Sequence, residues 1–152
     1  MSPTEPQTHF RTQACSRQWR GFLRALAQEF AAELGTEDMA LLMARIGRRF
    51  ADAHPIGRCA TLEDLQGAAN RVWEQVEWGY ARFEEQADRV DLYHVGSPLQ
   101  IALAGETAGA DGFLEGVYHA WFEQAGMLAG LGIRAVPAID QDVRRFVLCR
   151  VA

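Results

Sequence analysis

The side chains with the greatest chemical reach in this chain are aromatic, and they cluster in "FLEGVYHAWFEQAG", residues 113–126. Phe113, Val117, Tyr118, Trp121 and Phe122 recur there at helical spacing. Upstream, Trp78 and Tyr80 fall two residues apart, on one side of an expected strand. Flat faces of this kind stack on sugar rings, whose axial C–H groups are apolar. The same side chains also dominate protein cores and subunit interfaces, and for any one of them that is the more ordinary place.

Other chemistry is sparse. His9, His54, His94 and His119 are scattered, with no His-Glu-x-x-His spacing. A metal site needs several converging ligands, so each reads as a surface or satisfied core histidine and no metal is expected. Cys15, Cys59 and Cys149 are odd in number and widely spaced, which suits reduced thiols better than a disulfide framework or a zinc site. Ser16 and Ser97 lack the Gly-x-Ser-x-Gly elbow. "GLG" and "GETAG" are too loose to cradle phosphate. Carboxylates are plentiful, but the sequence places no pair of them in a pocket. No catalytic residue is nominated and no cofactor is expected, so a scaffold or binding module is favoured over an enzyme.

The elements that must position these residues can be read from periodicity. Residues 1–16 form a polar arm with Pro3 and Pro6, expected to be flexible, ahead of a single domain over 17–152. Trp19, Phe22, Leu23, Leu26, Phe30 and Leu34 stripe a first helix over about 17–34, ended by Gly35. Thr36 is placed to cap a second, striped by Met39, Leu42, Met43, Ile46 and Phe50 and stopped by "HPIG" at 54–57. These two stripes should face each other or a shared sheet. "TLED" from Thr61 reads as a capping box for a third helix carrying Leu65, Ala69, Val72, Trp73 and Val76. "WGYARFEE" and "RVDLYHV" alternate as an antiparallel pair over about 78–86 and 89–96. A Gly- and Ala-rich connection leads to a fourth helix, about 112–128, in which Gly116 and Gly126 would admit a close backbone. "GLGIRAVPAI" and "VRRFVLCRV" form a last hairpin turning at "DQD", with Pro137 confining its strand to an edge. The fold class is α+β: N-terminal helices on a small antiparallel sheet, with the fourth helix between two hairpins.

Composition narrows the partners. The 152 residues suit one core, and 49% hydrophobic with 23% charged residues is an ordinary globular balance. A net charge of −5 makes nucleic acid a poor partner; Arg48-Arg49 and Arg144-Arg145 are only pairs, read as solvated surface. The N-terminus has no basic and apolar leader, and no apolar run approaches the ~20 residues of a membrane span, so direct membrane insertion is not expected.

From Trp19 to Arg150 the chain resembles the D subunits of bacterial cellulose synthase operons. The likeness rests on Trp78-Gly79, the acidic-tipped hairpin after it, and Leu114-Glu115-Gly116-x-Tyr118-x-x-Trp121 leading to Gln124-Ala125-Gly126. It implies a noncatalytic accessory subunit that assembles with itself as octameric rings built from dimers; the missing leader and the unpaired cysteines predict the cytoplasm, with the periplasmic side as the alternative. It also implies partners in the cellulose synthase complex and among other operon proteins, and a role in arraying synthases or guiding β-1,4-glucan. Under that resemblance Phe10, Trp78 and Tyr80 become the candidate glucan contacts, and Gly116, Tyr118 and Trp121 the candidate subunit interface. The arm would line a passage in the ring, with Phe10 stacking on glucan. A fainter resemblance, to small-molecule sensors of the vinyl-reductase type and related vesicle-tethering subunits, supplies the rival. In those, cysteines near the last helix and strand mark a metal or ligand site; here Asp111 stands before Gly112 and only Cys149 remains.

Overall fold

A computed structural model describes residues 16–103, 107–140 and 142–151. In chain order they form α1 (Arg17–Glu33), α2 (Thr36–Ala53), α3 (Leu62–Val76), β1 (Tyr80–Glu85), β2 (Val90–Val95), the single turn α4 (Leu99–Ala102), α5 (Thr107–Ala125), β3 (Leu131–Asp140) and β4 (Val143–Arg150). The strands make one antiparallel sheet in the order β1-β2-β4-β3. The chain is α+β, and the long helix α5 lies between the two hairpins, as expected. Phe10 and the rest of the arm before residue 16 lie outside the described residues.

Local chemistry accounts for most element boundaries. The Thr61 hydroxyl accepts the Asp64 amide at 3.0 Å and caps α3, as "TLED" predicts. Glu77 (φ 60°) and Gly79 (φ 71°) then swing the chain from α3 into β1. A Cβ at Gly79 would overlap the Val95 carbonyl, so only glycine fits this turn. Thr36 is the first helical residue of α2 instead of its cap; Gly35 holds the cap position without a side-chain bond. Pro137 does sit in an edge strand, and the β3–β4 register shifts between Val136 and Asp140.

One face of the sheet is covered. Ala81, Phe83, Leu92, His94, Phe146 and Leu148 are buried beneath the helices. Helix α5 lies on that face, with the Tyr118 ring centroid 5.9 Å from that of Phe146 and Phe122 5.3 Å from Phe83. Helix α2 crosses α5 on its other side at backbone contact. A Cβ at Gly112 would lie 2.6 Å from the Ala40 carbonyl oxygen, and one at Gly116 would overlap the Ala44 carbonyl. Gly47 meets the Phe113 carbonyl in the same way from α2.

Three expectations fail here. Helix α5 begins at Thr107 in place of residue 112, taking in Gly109, which reads as loop and packs against the Met39 and Leu103 side chains. It stops at Ala125, and Gly126 (φ 112°) ends the helix with open space around it in place of a packed backbone. Most consequentially, the apolar stripe of α1 is covered only at its C-terminal end, where Phe30 and, just past the helix, Leu34 pack against the core. Ala27 is its one buried residue, while Trp19 (60%) and Phe22 (58%) stay exposed. The partner of α2 is α5.

Candidate functional site

The expected sugar-stacking pair is split by the turn before β1. Trp78 precedes the strand, and its half-buried ring packs beside Trp73, Phe50 and Phe113 at centroid distances of 5.6, 6.0 and 5.5 Å. Tyr80 points to the opposite side and is 52% exposed. Tyr118 and Trp121 are fully buried, and the Trp121 indole donates to the His54 carbonyl at 3.0 Å. Gly116 is pressed against α2. These last three are packing residues within one chain and offer no surface to another copy.

His94 is the most constrained titratable group. A carbonyl can only accept, so the imidazole donates from Nε2 to the Trp78 carbonyl at 2.8 Å. Nδ1 then accepts the Tyr118 hydroxyl at 2.5 Å. Full burial pushes the imidazole down to about 4 and raises the Tyr118 phenol well above its ordinary value. The neutral ring ties β2 to α5 and to the α3–β1 turn. It is the satisfied core histidine that its isolation in the sequence suggested.

Three polar contacts had no clear sequence signal. Arg144, expected on the surface, is buried and meets Asp111 through paired bonds, Nε to Oδ1 at 2.8 Å and Nη2 to Oδ2 at 2.7 Å. That carboxylate holds the guanidinium charged and fastens α5 to β4. At the β3 edge, Glu115 accepts the Ala135 amide. Burial raises the Glu115 carboxyl, and the Ala135 amide partly offsets the rise. At the β1 edge, the Gln66 amide oxygen accepts the Phe83 N–H at 2.8 Å, while Asn70 bonds both the N–H and the carbonyl of Ala81. Helix side chains thus occupy hydrogen-bonding groups on both edges of the sheet, a device that blunts strand addition.

A groove of about 490 Å³ opens where α2, α5 and β3 meet. Leu41, Arg45 and Arg48 form one bank, Glu115 and His119 the other, with Ile133 at the end. Glu123 bridges the two helices, 3.1 Å from Arg48 and 2.7 Å from His119. Burial pushes its carboxyl up, but the bonds from Arg48 and His119 together hold it below the ordinary range. Arg45 makes no ion pair among the described residues. Such an arrangement can bind through charge and shape. Among the described residues, no three of His, Cys, Asp and Glu gather as a metal site, and no helix is long and apolar enough to cross a membrane. Cys59 and Cys149 are free thiols.

Comparison with known proteins covers almost the whole fold. The family model for the D subunit of cellulose synthase matches residues 7–148. Cellulose synthase operon protein D from Komagataeibacter xylinus is 36% identical over 109 residues, 66% of each chain. The operon protein D of Komagataeibacter sucrofermentans is equally similar over the same share. Among solved structures, a trafficking protein particle complex subunit 3 from Naegleria fowleri, covalently bound to palmitic acid, superposes with a TM-score of 0.58. The superposition covers 96% of this chain and 97% of that one at 10% identity, a likeness of fold alone.

Proposed function

This chain belongs to the family of cellulose synthase D subunits, and from that premise we propose that it is a noncatalytic accessory component of bacterial cellulose synthesis, arraying synthase complexes or guiding nascent β-1,4-glucan. The observation that carries the reading is the family match across residues 7–148, which takes in every described helix and strand except Cys149 and Arg150 at the end of β4. The alignments to the operon proteins span 66% of those chains, so the finer role is our inference.

In this reading the protein forms a closed homo-oligomer, an octamer, on the cytoplasmic side of the synthase. The free thiols of Cys59 and Cys149 are in keeping with a reducing compartment. Glucan contact falls to Phe10 in the arm and to Tyr80, whose exposed ring is available to stack. Trp78 is a lesser candidate for that contact, because its half-buried ring packs beside Trp73 and Phe50. The sensor alternative is less favoured: Trp73, Trp121 and Tyr118 fill the interior between α3, α5 and the sheet, where a buried ligand would need room.

The test is genetic. A strain lacking the protein should make less cellulose, or cellulose of poorer fibre order, and this chain should restore it. Normal yield and order in the deletion strain would overturn the reading. A chain lacking residues 2–14 should keep its oligomer mass and melting temperature yet fail to restore fibre order. The purified protein should leave cello-oligosaccharides and nucleotide sugars unchanged; turnover abolished by one carboxylate substitution would make it an enzyme.

A further inference from the structure

Charge is unevenly placed on this chain of net charge −5. The outer face of α2 carries Arg45, Arg48 and Arg49 within five residues, all exposed. Arg48 is held by Glu123 at 3.1 Å, while Arg45 and Arg49 form no ion pair among the described residues. Beside them, the groove at α2, α5 and β3 has an apolar rim, with Leu41 59% exposed and Ile133 half-buried. Across the molecule, the end of β1 carries Glu84 and Glu85, and the turn after it carries Asp88. Arg82 pairs with Glu84 at 3.2 Å, and Arg89 turns back to Asp91 at 2.9 Å. That leaves Glu85 without an ion pair among the described residues, and Asp88 with only a loose 3.5 Å contact to Arg89 and 81% of its side chain exposed.

The sheet order fixes how these two patches are related. Val90 pairs with Leu148, and Leu148 with Ile133, so the hairpin tip and the β3 end of the groove lie at the same end of the sheet. The order β1-β2-β4-β3 separates them by the full width of the sheet, roughly 14 Å of strand spacings. A groove with Arg45 and Arg48 on its α2 bank at one edge and an acidic tip at the other cannot meet within one chain. Between copies they make a head-to-tail contact, which closes into a ring when the rotation between copies permits.

We propose that the β1–β2 tip of one copy, through Glu85 and Asp88, docks in the groove of the next, against Arg45 and Arg48, with Leu41 and Ile133 as its apolar rim. The occupant is a second copy of this chain. The inference rests on the assembly part of the function proposed above and supplies its contact. Short-range charge pairing at the rim of a small apolar patch makes the association sensitive to salt.

The experiment is a charge swap, read as mass by light scattering and as fold by circular dichroism. The chains are wild type, Arg45→Glu with Arg48→Glu, Glu85→Arg with Asp88→Arg, and one chain carrying all four substitutions. Arg45→Glu alone is added because Arg48 also bonds Glu123. Each double reversal should raise the concentration needed for half-assembly at least about tenfold, since it sets like charges face to face. Mixing the two reversed chains should restore the mass, as should the four-substitution chain, because each reversed groove then meets a reversed tip. Salt should weaken the wild-type assembly. Assembly untouched by either reversal, or lost without rescue in folded chains, overturns the contact and leaves the assembly standing. A wild type that is monomeric at every concentration and salt overturns both.

Discussion

Helix α1 carries Trp19, Phe22 and Leu26 at three- and four-residue steps, and α5 carries Phe113, Val117, Tyr118 and Trp121 at similar steps. In α5 those residues are buried, and even the intervening Gly112 and Gly116 are covered by α2. In α1 Trp19, Phe22 and Leu26 stand in solvent, while Phe30 near its end packs against the core. The sequence of α1 has the cleaner division into apolar and polar faces, whereas α5 is apolar nearly all round. A sharp stripe marks a helix with something to cover. What does the covering is settled elsewhere, here by which helix has the glycines that let α2 close in.

The strongest way to break this contrast is to fill the crossing. Gly116→Val places side-chain atoms where the Ala44 carbonyl lies, and two packed helices cannot both keep their positions. We expect a loss of about 4 kcal/mol in urea unfolding, at the upper end for single substitutions. A loss below about 1 kcal/mol would mean that the crossing is loose and that the two helices differ less than the geometry says.

Next in size is the polar fastening of α5. Asp111→Asn removes the charge facing Arg144 and leaves a buried guanidinium without its counterion. The expected cost is about 3 kcal/mol. Replacing both partners, Asp111→Leu with Arg144→Met, should recover much of it, because a pair of similar shape without charge has no desolvation to offset. Failure of the double variant to recover would show that the pair also fixes the placement of α5.

A third test uses acid. The His94 imidazole titrates near 6.5 when exposed and at about 4 in the fold. Between those values the unfolded chain binds more protons than the native one, so folding loses ground as pH falls. The contribution is complete above about 6.5 and has shrunk by about 2 kcal/mol at pH 5. Measured as the difference in unfolding free energy between pH 7 and 5, that loss should be absent in His94→Gln. An equal loss in the variant would assign it to the carboxylates.

How much of this is legible in sequence follows from the range of each interaction. The α3 cap spans three residues, Thr61 to Asp64, and can be read directly. The strand pairs and the edge position of β3 follow from alternation and from Pro137. Asp111 and Arg144 stand 33 residues apart, and neither has a pattern that names the other, so Arg144 reads as surface. Trp78 and Tyr80 read as neighbours on a strand because two-residue spacing implies one face; the left-handed backbone at Glu77 and Gly79 starts the strand later and sends them apart. Gly116 is a place of close approach, as its position among large side chains suggests. The approaching backbone is Ala44 of the same chain.

The smallest expected effect is the most informative about α1. Trp19→Ser with Phe22→Ser removes two large apolar side chains, which in a core would cost about 3–5 kcal/mol each. Here both rings already meet water, and the contacts that hold α1 to the body run through Ala27, Phe30 and Leu34, which the double variant leaves intact. At concentrations low enough to keep the chain monomeric, the change in unfolding free energy should stay within about 0.5 kcal/mol, the range of ordinary surface substitutions. A concentration series sharpens the result. If the two chains match when dilute but diverge as concentration rises, the α1 stripe is covered by another copy, and assembly uses a second surface besides the arginine groove. If they differ by more than about 2 kcal/mol when dilute, α1 packs on its own chain in solution, and the contrast with α5 disappears.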